Sequence, residues 1–333
     1  MAVLLSAKDI FKTKKETVKN EVEKLQKMGV TPGFAIILTV GEKEDAALNK
    51  TQQMFANLKS KDCKEVGIEP EVVRLYEKYD ENNLQNGLFE CLDEMNSRDD
   101  ITGTIIQFPP SRFIKNKDAA LERLSPKKDV DGLSPYNSGI WMRDKYNIYA
   151  KGTPVPCTAA GIIELIDEWY DITKDPRLLI AEKEVTIVGR SYLVGKPTWK
   201  FFLERDATPI VCHRQTLNIK EKLERAEIIV SAAGRLPEIY GNDDSFRLAC
   251  EMVKKDAVII SVGLQKDPAT GKVYYDLPND DEPEYQRILE KASYISPNMG
   301  GIGLKTRGRI LENNLITANL CSNNIIQKGY VKT

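Results

Sequence analysis

Hydrophobic positions in the first third of the chain change period repeatedly, which predicts alternating helices and strands. Apolar residues recur at helical spacing from about Ser6 to Met28 and predict an amphipathic helix. GFAIILTVG, at Gly33–Gly41, is a short continuous apolar run and predicts a strand buried on both faces of a parallel sheet. The alternation continues with a helix at Ala46–Val66, a strand near Glu71–Tyr76, a helix near Asn82–Met95 and a strand at Thr102–Phe108. This order predicts an α/β domain with right-handed crossovers.

The second half repeats the alternation after a stretch rich in Pro, Asp, Lys and Gly. We interpret that stretch, residues 109–156, as active-site loops and a crossing between domains. Strands are predicted to start at Glu184, Thr208, Glu227 and Ala257, with helical segments between them. A polar hairpin-like insert, KDPATGKVYYD, follows the last strand, and a final helix is predicted near Thr306–Gln327. The pattern predicts two α/β domains, residues 1–155 completed by 306–333 and residues 156–305, the second with a Rossmann-type parallel sheet.

Composition excludes several classes of protein. The net charge of −1 predicts no general attraction to nucleic acid or to an anionic membrane. No apolar run reaches the roughly 18 residues that a membrane span needs, and the N-terminus lacks the features of a secretory signal. The six cysteines form no C-x-x-C pair. We therefore expect a cytoplasmic protein without a metal site.

A glycine-containing loop, VTIVGRSYLVGKP, joins a predicted strand to a predicted helix. Gly189 ends the apolar run, the polar residues Arg190 and Ser191 follow, and Gly195 opens the helix. Such a loop suits phosphate, because helix N-termini present free N–H groups and the positive end of the helix dipole. Its spacing is not the dinucleotide fingerprint G-x-G-x-x-G, so a plain strand-to-helix turn is the alternative.

The next strand ends in CHRQT, where NAD-binding sites usually place an acidic residue for the ribose hydroxyls. This chain instead has His213 and Arg214 there, with Arg190 in the preceding loop. These cationic and imidazole groups favour a 2′-phosphate, so we predict NADP rather than NAD. The alternative is a surface pair that caps the following helix. Small or apolar residues end the later strands in SAAGRLP and SVGLQ and would lie under the cofactor: Ala233, Gly234 and Leu264.

Three polar residues in the first half are candidates for chemistry. Lys59 lies on a predicted helix, Gln107 ends the strand TIIQF, and Asp131 lies in the loop segment KKDVDGLSPYN. Ligands of α/β sheets bind at the carboxyl ends of strands, where Gln107 falls. A desolvated lysine would have a lowered pKa and could transfer protons. The alternatives are a solvated lysine face and an aspartate that serves only as a turn or cap residue.

Together these residues resemble one family closely, the bifunctional methylenetetrahydrofolate dehydrogenase/methenyltetrahydrofolate cyclohydrolases. The matching motifs run in order through nearly the whole chain: F-x-x-x-K at Phe55–Lys59, GTIIQFP at Gly103–Pro109, KDVDGLSPYNSG at Lys128–Gly139, PCTAAG at Pro156–Gly161, VGRSYLVGKP, CHRQT, and GGIG at Gly300–Gly303. The resemblance implies a homodimer of two-domain chains with a folate cleft between the domains. It implies oxidation of 5,10-methylenetetrahydrofolate by NADP and hydrolysis of the methenyl product to 10-formyltetrahydrofolate, in one-carbon metabolism that supplies purine biosynthesis.

The resemblance also implies a role for each candidate residue. Lys59 would assist water attack and proton movement, Gln107 would position Lys59, and Asp131 would hold the polar edge of the pterin ring. The remaining substrate-binding residues would be Phe55, Ile106, Phe108, Gly300, Gly301, Ile302, Gly303 and Thr306. The cofactor-binding residues would be Gly189, Arg190, Ser191, Gly195, His213, Arg214, Ala233, Gly234 and Leu264.

Two departures from the family pattern leave other functions open. Phe55 stands where the family usually has tyrosine, and NMGGIGLKT, at Asn298–Thr306, lacks two prolines of the family loop. A dehydrogenase with weak or no cyclohydrolase activity is therefore one alternative, and a non-catalytic sensor of NADP(H) is another. A third alternative, an NADP-dependent dehydrogenase of a different substrate, is disfavoured because Lys59, Gln107 and Asp131 are all present.

Overall fold

The computed structural model describes residues 1–143, 148–149, 152–234, 245–266 and 272–329, which group into two compact units. The three-stranded unit contains residues 12–143, 148–149, 152–157 and 307–329. The six-stranded unit contains residues 1–11, 158–234, 245–266 and 272–306. No helix within these described ranges combines the length and apolar character that crossing a membrane requires.

The described elements alternate between strand and helix, as the hydrophobic pattern predicts. The strands are β1 (Val3–Leu4), β2 (Gly33–Leu38), β3 (Glu69–Arg74), β4 (Gly103–Ile106), β5 (Glu184–Val188), β6 (Thr208–Cys212), β7 (Ile228–Ser231), β8 (Val258–Ser261), β9 (Leu264–Lys266), β10 (Val273–Tyr275) and β11 (Tyr294–Ile295). The α-helices are α1 (Lys8–Lys27), α2 (Ala46–Val66), α3 (Leu84–Ser97), α4 (Lys117–Arg123), α5 (Pro135–Trp141), α6 (Cys157–Thr173), α7 (Gly195–Leu203), α8 (Ile219–Arg225), α9 (Pro283–Lys291) and α10 (Ile302–Gly329). The predicted class, two α/β domains with a Rossmann-type parallel sheet in the second, is confirmed.

The three-stranded unit is built on a parallel sheet in the order β3-β2-β4. β2 is buried along its whole length, as its continuous apolar sequence predicts for a central strand. Helix α2 has the predicted bounds because its ends are capped: Asp45 accepts a hydrogen bond from the Leu48 N–H, and Gly67 takes the left-handed conformation. The predicted strand near Glu71–Tyr76 lies two residues earlier, as β3, because Gly33 of β2 pairs with Glu69.

The six-stranded unit has a parallel sheet in the order β1-β11-β8-β7-β5-β6. The chain leaves β5 for the edge strand β6 and then returns to the other side of β5 as β7. This reversal is the switch point at which doubly wound sheets bind ligands, beside the carboxyl ends of the strands. The loops after β5 and β7 therefore lie at the expected ligand position of this sheet.

The N-terminus differs from the sequence-based prediction. The sequence assigns residues 1–155 to the first domain, whereas Met1–Phe11 group with the six-stranded unit. The cause is β1, whose residues Val3 and Leu4 pair with Tyr294 and Ile295 of β11. Such a pairing joins residues far apart in the chain, and two-residue strands carry too little periodicity to be recognised.

The insert KDPATGKVYYD was expected to form a hairpin, and β9 and β10 pair as an antiparallel hairpin. Its residues 267–271 lie outside the described part of the chain. Helix α10 begins at Ile302, before the predicted start near Thr306 and two residues after Gly300, which has a φ of +90°. Residues 307–329 of α10 group with the three-stranded unit.

A buried ion pair joins α10 to α2 within the three-stranded unit. The Arg307 guanidinium donates to both carboxylate oxygens of Asp62, at 2.5 Å from Nε and 2.7 Å from Nη2. The Asp62 side chain is only 3% exposed, so the bidentate pair replaces the water that its charge has lost. Asp62 lies three residues after Lys59 on α2, so this pair also anchors the helix segment that carries Lys59.

We expect Arg307→Leu to lower the free energy of unfolding by about 3 kcal/mol, because it leaves the Asp62 carboxylate buried and unpaired. The double variant Asp62→Leu with Arg307→Leu should regain most of that loss, since no unpaired charge remains. Urea unfolding measures both effects. Lys61→Met is the matched control, because the exposed Lys61–Glu65 pair at 3.9 Å should contribute less than about 0.5 kcal/mol. Equal midpoints for the parent and Arg307→Leu would contradict the role of this ion pair.

Candidate active site

The loop segment KDVDG lies beside the strand that ends at Gln107, because the two backbones pair. The Thr104 N–H donates to the Lys128 carbonyl at 2.6 Å, and the Val130 N–H donates to the Thr104 carbonyl at 3.2 Å. Thr104 and Asp129 thus form a parallel bridge on the open side of β4. This pairing covers an edge that β4 would otherwise expose and carries Asp131 toward the end of the same strand.

Several hydrogen bonds fix the KDVDG segment in place. Asp129 is buried and accepts from the Ser134 N–H at 2.7 Å and from the Asn137 amide at 2.9 Å. The Trp141 indole N–H donates to the Gly132 carbonyl at 2.9 Å. Gly132 has a φ of +65°, and a Cβ there would lie 2.6 Å from the Pro154 carbonyl oxygen, so only glycine fits. These hydrogen bonds give Asp129 a structural role within the loop.

Lys59 and Gln107 are in direct contact, as predicted. The Lys59 ammonium donates to Oε1 of Gln107 at 2.7 Å, and the lysine is 9% exposed. Desolvation lowers the pKa of Lys59, while the nearby carboxylate of Asp131 opposes that shift. The alternative of a solvated lysine face applies instead to Lys61, whose side chain is 73% exposed on the same helix.

Asp131 completes this cluster of titratable groups. Desolvation raises the pKa of Asp131 from 3.8 to about 6, and the charge of Asp129 adds to the rise. Lys59 and a hydrogen bond from the Cys157 thiol oppose it without cancelling it. A lysine with a lowered pKa thus lies near a carboxyl with a raised pKa, a combination typical of sites that move protons.

Sequence reasoning missed two residues that support this cluster. Gln52, on α2, donates through its amide to the carbonyls of Gln107 at 3.3 Å and Pro109 at 2.6 Å. It lies seven residues before Lys59 and therefore on the same face of the helix, a spacing that could have identified it. Cys157 contacts Asp131 from a distant part of the chain, and no sequence spacing indicates that.

The apolar substrate-binding candidates of the three-stranded unit lie close to Lys59 and Gln107 along the chain. Phe55 is half-buried, one helical turn before Lys59. Ile106 is buried at the end of β4, and Phe108 is half-buried directly after Gln107. Of these three side chains, the two rings keep part of their surface exposed, which suits contact with a planar aromatic ligand, whereas the isoleucine side chain is buried.

The other substrate-binding candidates, Gly300–Gly303 and Thr306, lie in the six-stranded unit. A Cβ on Gly301 would lie 2.7 Å from the Pro297 carbonyl oxygen, so a side chain does not fit there. Ile302 is buried in the first turn of α10, and the Thr306 hydroxyl is within 3.0 Å of the Ile302 carbonyl. The segment is thus a glycine turn that leads directly into a helix N-terminus.

The loop between β5 and α7 can exist only with its two glycines. Gly189 has a φ of +132°, and a Cβ on it would lie 2.4 Å from the Ala232 carbonyl oxygen. A Cβ on Gly195 would lie 2.1 Å from the Gly189 carbonyl oxygen, so the loop closes on itself at these positions. The Ser191 hydroxyl accepts from the Val194 N–H at 3.1 Å, which closes the loop just before α7. This tight strand–turn–helix unit fits a dinucleotide phosphate at the helix N-terminus.

The residues predicted to recognise a 2′-phosphate lie at the end of β6, next to this loop. The Gly189 N–H donates to the Cys212 carbonyl at 2.9 Å, which joins the two loops. Nδ1 of His213 accepts from the Gln215 N–H at 3.2 Å, and this hydrogen bond does not engage the other ring nitrogen, Nε2. Arg190 and Arg214 are both exposed. The turn after β6 therefore carries donors and no acidic side chain between Cys212 and Thr216.

The remaining cofactor candidates end the strands beside the switch point. Ala233 and Gly234 follow β7, and Gly234 has a φ of +59°. Leu264 opens the hairpin that follows β8 and is 41% exposed. A buried carboxylate that sequence reasoning missed, Asp276, accepts hydrogen bonds from the N–H groups of Ala233 at 2.7 Å and Gly234 at 2.9 Å.

Comparison with known protein families gives a match for both halves of the chain. A family model described as "Tetrahydrofolate dehydrogenase/cyclohydrolase, catalytic domain" matches residues 5–131. A second, described as "Tetrahydrofolate dehydrogenase/cyclohydrolase, NAD(P)-binding domain", matches residues 156–322. "Bifunctional protein FolD" of Pyrobaculum arsenaticum is 38% identical over 318 residues, which cover 96% of this chain and 95% of the relative.

Solved structures agree with these matches. A bifunctional FolD methylenetetrahydrofolate dehydrogenase/cyclohydrolase from Campylobacter jejuni is 28% identical, with a TM-score of 0.78 over 96% of this chain and 99% of the other. An N5,N10-methylenetetrahydrofolate dehydrogenase-cyclohydrolase from Trypanosoma brucei, complexed with NADP and an inhibitor, is 27% identical. Its TM-score is 0.77, over 96% of this chain and 97% of the other.

We expect Asp131→Asn to stabilise the protein at pH 8 and to leave its stability near pH 4 unchanged. The folded-state pKa of Asp131, about 6, lies above the ordinary value of 3.8, so the native state binds this proton more tightly than the unfolded chain. Ionisation therefore costs stability progressively as pH rises through this window. Allowing for the partial exposure of Asp131, the gain should be about 1–2 kcal/mol.

Urea unfolding at the two pH values measures this gain. Asp281→Asn, which changes an exposed carboxyl of the six-stranded unit, should leave the midpoint unchanged at both. A lower midpoint for Asp131→Asn than for the parent at pH 8 would show that the charge stabilises the fold.

Proposed function

Because the chain belongs to the tetrahydrofolate dehydrogenase/cyclohydrolase family, we propose how its own residues divide the two reactions. The enzyme oxidises 5,10-methylenetetrahydrofolate to 5,10-methenyltetrahydrofolate and hydrolyses this product to 10-formyltetrahydrofolate. The observation that carries the proposal is the hydrogen bond of 2.7 Å between the buried Lys59 and Gln107, beside Asp131. These three residues form the hydrolytic and folate-binding site.

The bifunctional interpretation is confirmed over the alternatives of a monofunctional dehydrogenase and a non-catalytic sensor. Phe55 in place of tyrosine keeps an aromatic ring beside Lys59 and removes only a hydroxyl. The groups that hydrolysis needs, a lysine with a lowered pKa and its positioning amide, are in contact without that hydroxyl. Pure protein should therefore form both NADPH from methylenetetrahydrofolate and 10-formyltetrahydrofolate from the methenyl compound.

Lys59 is the residue that moves protons during hydrolysis. A water oxygen bonds to the methenyl carbon and loses one proton, which leaves a hydroxyl on that carbon. The hydroxyl then loses its own proton and becomes the formyl oxygen, while the bond from the carbon to N5 breaks and N5 takes up a proton, so one proton is released overall. Burial lowers the pKa of Lys59, which makes its neutral amine more accessible as a proton acceptor. Gln107 accepts a hydrogen bond from Lys59 and so fixes the direction in which the amine faces.

Asp131 holds the pterin ring through its N–H groups, for which an ionised carboxylate is the stronger acceptor. Its pKa of about 6 means that this form prevails at neutral pH, while the folate N–H groups replace the water that burial removed. The rings of Phe55 and Phe108 supply apolar contact to the planar parts of the substrate. We also propose Gly300–Gly303 and Thr306 as folate contacts, on the basis of the GGIG motif and family membership.

The oxidation step needs fewer chemical groups from the protein than the hydrolysis step does. It requires the reactants to be bound and oriented, with no protein acid or base at that step. A bound nicotinamide dinucleotide supplies the hydride acceptor. Gly189, Ser191 and Gly195 hold its pyrophosphate at the N-terminus of α7, and Ala233, Gly234 and Leu264 line the adjoining strand ends.

We propose NADP rather than NAD as the cofactor. Arg190, His213 and Arg214 adjoin the phosphate loop, and no carboxylate lies between Cys212 and Thr216 to bind the ribose hydroxyls. A 2′-phosphate would gain charge-assisted hydrogen bonds from the guanidiniums. We also propose a cytosolic homodimer that supplies formyl groups for purine biosynthesis, on the basis of family membership.

Lys59→Met should reduce hydrolysis of methenyltetrahydrofolate by at least about a hundredfold, because it removes the proton-moving group. The rate of methylenetetrahydrofolate oxidation should stay near that of the parent. Absorbance assays of each step measure the two rates separately. Lys61→Met, on the exposed face of the same helix, should change neither rate. Hydrolysis at the parental rate by Lys59→Met would contradict the assigned role.

Arg214→Ala should raise the KM for NADP⁺ by roughly tenfold through loss of a charge-assisted hydrogen bond, and should hardly change the KM for NAD⁺. Initial rates of oxidation with each cofactor measure the difference. Lys220→Ala, an exposed cation on the helix that follows, is the control for loss of positive charge alone. An equal rise in KM for both cofactors would exclude recognition of the 2′-phosphate by Arg214.

A further inference from the structure

A carboxylate that neither reaction uses lies beneath the nucleotide-binding strand ends. Asp276 follows the hairpin strand β10, and its side chain is fully buried. Its Oδ2 accepts from the Ala233 N–H at 2.7 Å and from the Ser231 hydroxyl at 2.9 Å. Its Oδ1 accepts from the Gly234 N–H at 2.9 Å. Both oxygens are thus bonded to the turn that follows β7.

The surroundings of Asp276 are built for a carboxylate of this size. A Cβ on Gly263 would lie 2.1 Å from Oδ2 of Asp276. The carboxylate therefore occupies the space that a side chain at position 263 would need. The Asp276 N–H donates to the Gly263 carbonyl at 2.9 Å, which fixes its backbone to the end of β8. Within the described part of the chain, the three groups that hydrogen-bond to the carboxylate are all donors, which match the acceptor-only ionised form.

Burial opposes ionisation here, and the hydrogen bonds favour it. Desolvation raises the pKa of Asp276 to about 6, while the bonds from Ser231, Ala233 and Gly234 work against that rise. At pH 8 the group is therefore ionised, and its bonds to the turn are charge-assisted. Such bonds are about twice as strong as bonds between neutral groups, so they hold the turn firmly.

The hairpin explains why this residue reaches the turn. The chain leaves β8, forms β9 and β10, and returns to place Asp276 beside the ends of β7 and β8. Tyr275, the residue before it, pairs with Leu264 at the start of the hairpin. The side chain of Asp276 thereby ties the Ala233–Gly234 turn to the hairpin that begins at Leu264.

We propose that Asp276 is a positioning residue of the dinucleotide site, which acts by holding the Ala233–Gly234 turn in its binding conformation. The proposal rests on the assignment of that turn to the cofactor site. Because both N–H groups of the turn are bonded to Asp276, they are unavailable to phosphate. The turn meets the cofactor through its carbonyl groups and small side chains, and phosphate binding falls to the loop between Gly189 and Gly195.

The test compares Asp276→Asn, Ser231→Ala and the control Asp281→Asn at pH 8. In Asp276→Asn an amide NH₂ faces backbone donors, so we expect the dissociation constant for NADP⁺ to rise roughly ten- to a hundredfold. Ser231→Ala keeps the carboxylate and removes one donor, and it should weaken binding by only about two- to fivefold. Asp281→Asn changes an exposed carboxyl and should leave binding unchanged. Calorimetry measures binding to the protein without substrate.

Two further measurements separate positioning from a general loss of structure. Hydrolysis of supplied methenyltetrahydrofolate depends on Lys59, Gln107 and Asp131 of the three-stranded unit and should stay at the parental rate in each variant. In hydrogen exchange, the amides of Ala233 and Gly234 should exchange faster in Asp276→Asn than in the parent, because they lose their acceptor. During oxidation the KM for NADP⁺ should rise more than kcat falls.

Parental NADP⁺ affinity in Asp276→Asn would overturn the proposal. Parallel loss of hydrolysis and NADP⁺ binding, with a lower unfolding midpoint, would also overturn it, because the role would then be structural only. If Asp276→Asn does not fold, Ser231→Ala decides: weaker NADP⁺ binding with parental hydrolysis supports the role, and unchanged binding contradicts it. A parent protein that binds no NADP⁺ would overturn the assignment of the whole cofactor site, an outcome distinct from equal binding by parent and variant.

Discussion

The candidate active site depends on the pairing of a loop with the open edge of β4. Hydrogen bonds between Thr104 and the backbone of Lys128 and Val130 place the KDVDG segment beside the strand that ends at Gln107. Without that pairing, Asp131 would have no fixed position relative to Lys59. The hydrogen bonds that hold Asp129 serve the same end, because a rigid loop keeps a partly exposed carboxyl in one place. Precise placement is what such chemistry requires of a scaffold.

Burial gives the cluster its chemical character. The same desolvation lowers the pKa of Lys59 and raises the pKa of Asp131, because it penalises the charged form of each. Their mutual attraction opposes both shifts but does not cancel them. The result is a pair of groups that can change charge more readily than exposed residues of the same types. Such groups are costly for the fold, and the cost is consistent with a site selected for activity rather than stability.

The conformation of the proposed nucleotide-binding loops depends on positions where a side chain does not fit. Gly189 and Gly195 leave no room for a Cβ, so the turn after β5 is tighter than one with side chains could be. The absence of a side chain on Gly263 leaves room for the Asp276 carboxylate, which accepts hydrogen bonds from the Ala233–Gly234 turn. In both places a glycine lets another group lie against its backbone near the switch point of the sheet: the Ala232 carbonyl at Gly189 and the Asp276 carboxylate at Gly263.

The sequence by itself determined the α/β class, most helices and strands, and the contact of Lys59 with Gln107, because these follow from local hydrophobic period and from motifs. It also contained the signal for Gln52, seven residues before Lys59 on one helix face. Only the tertiary structure decided that Val3 and Leu4 pair with β11, that Asp129 supports the loop while Asp131 faces Lys59, and that Asp276 lies under the turn after β7. Apart from the local hydrogen bonds of Asp129, these contacts join residues far apart in the chain, so no spacing along the sequence encodes them. Parallel pairing of the strands brings such residues together, because it places the carboxyl ends of the strands at one edge of a sheet.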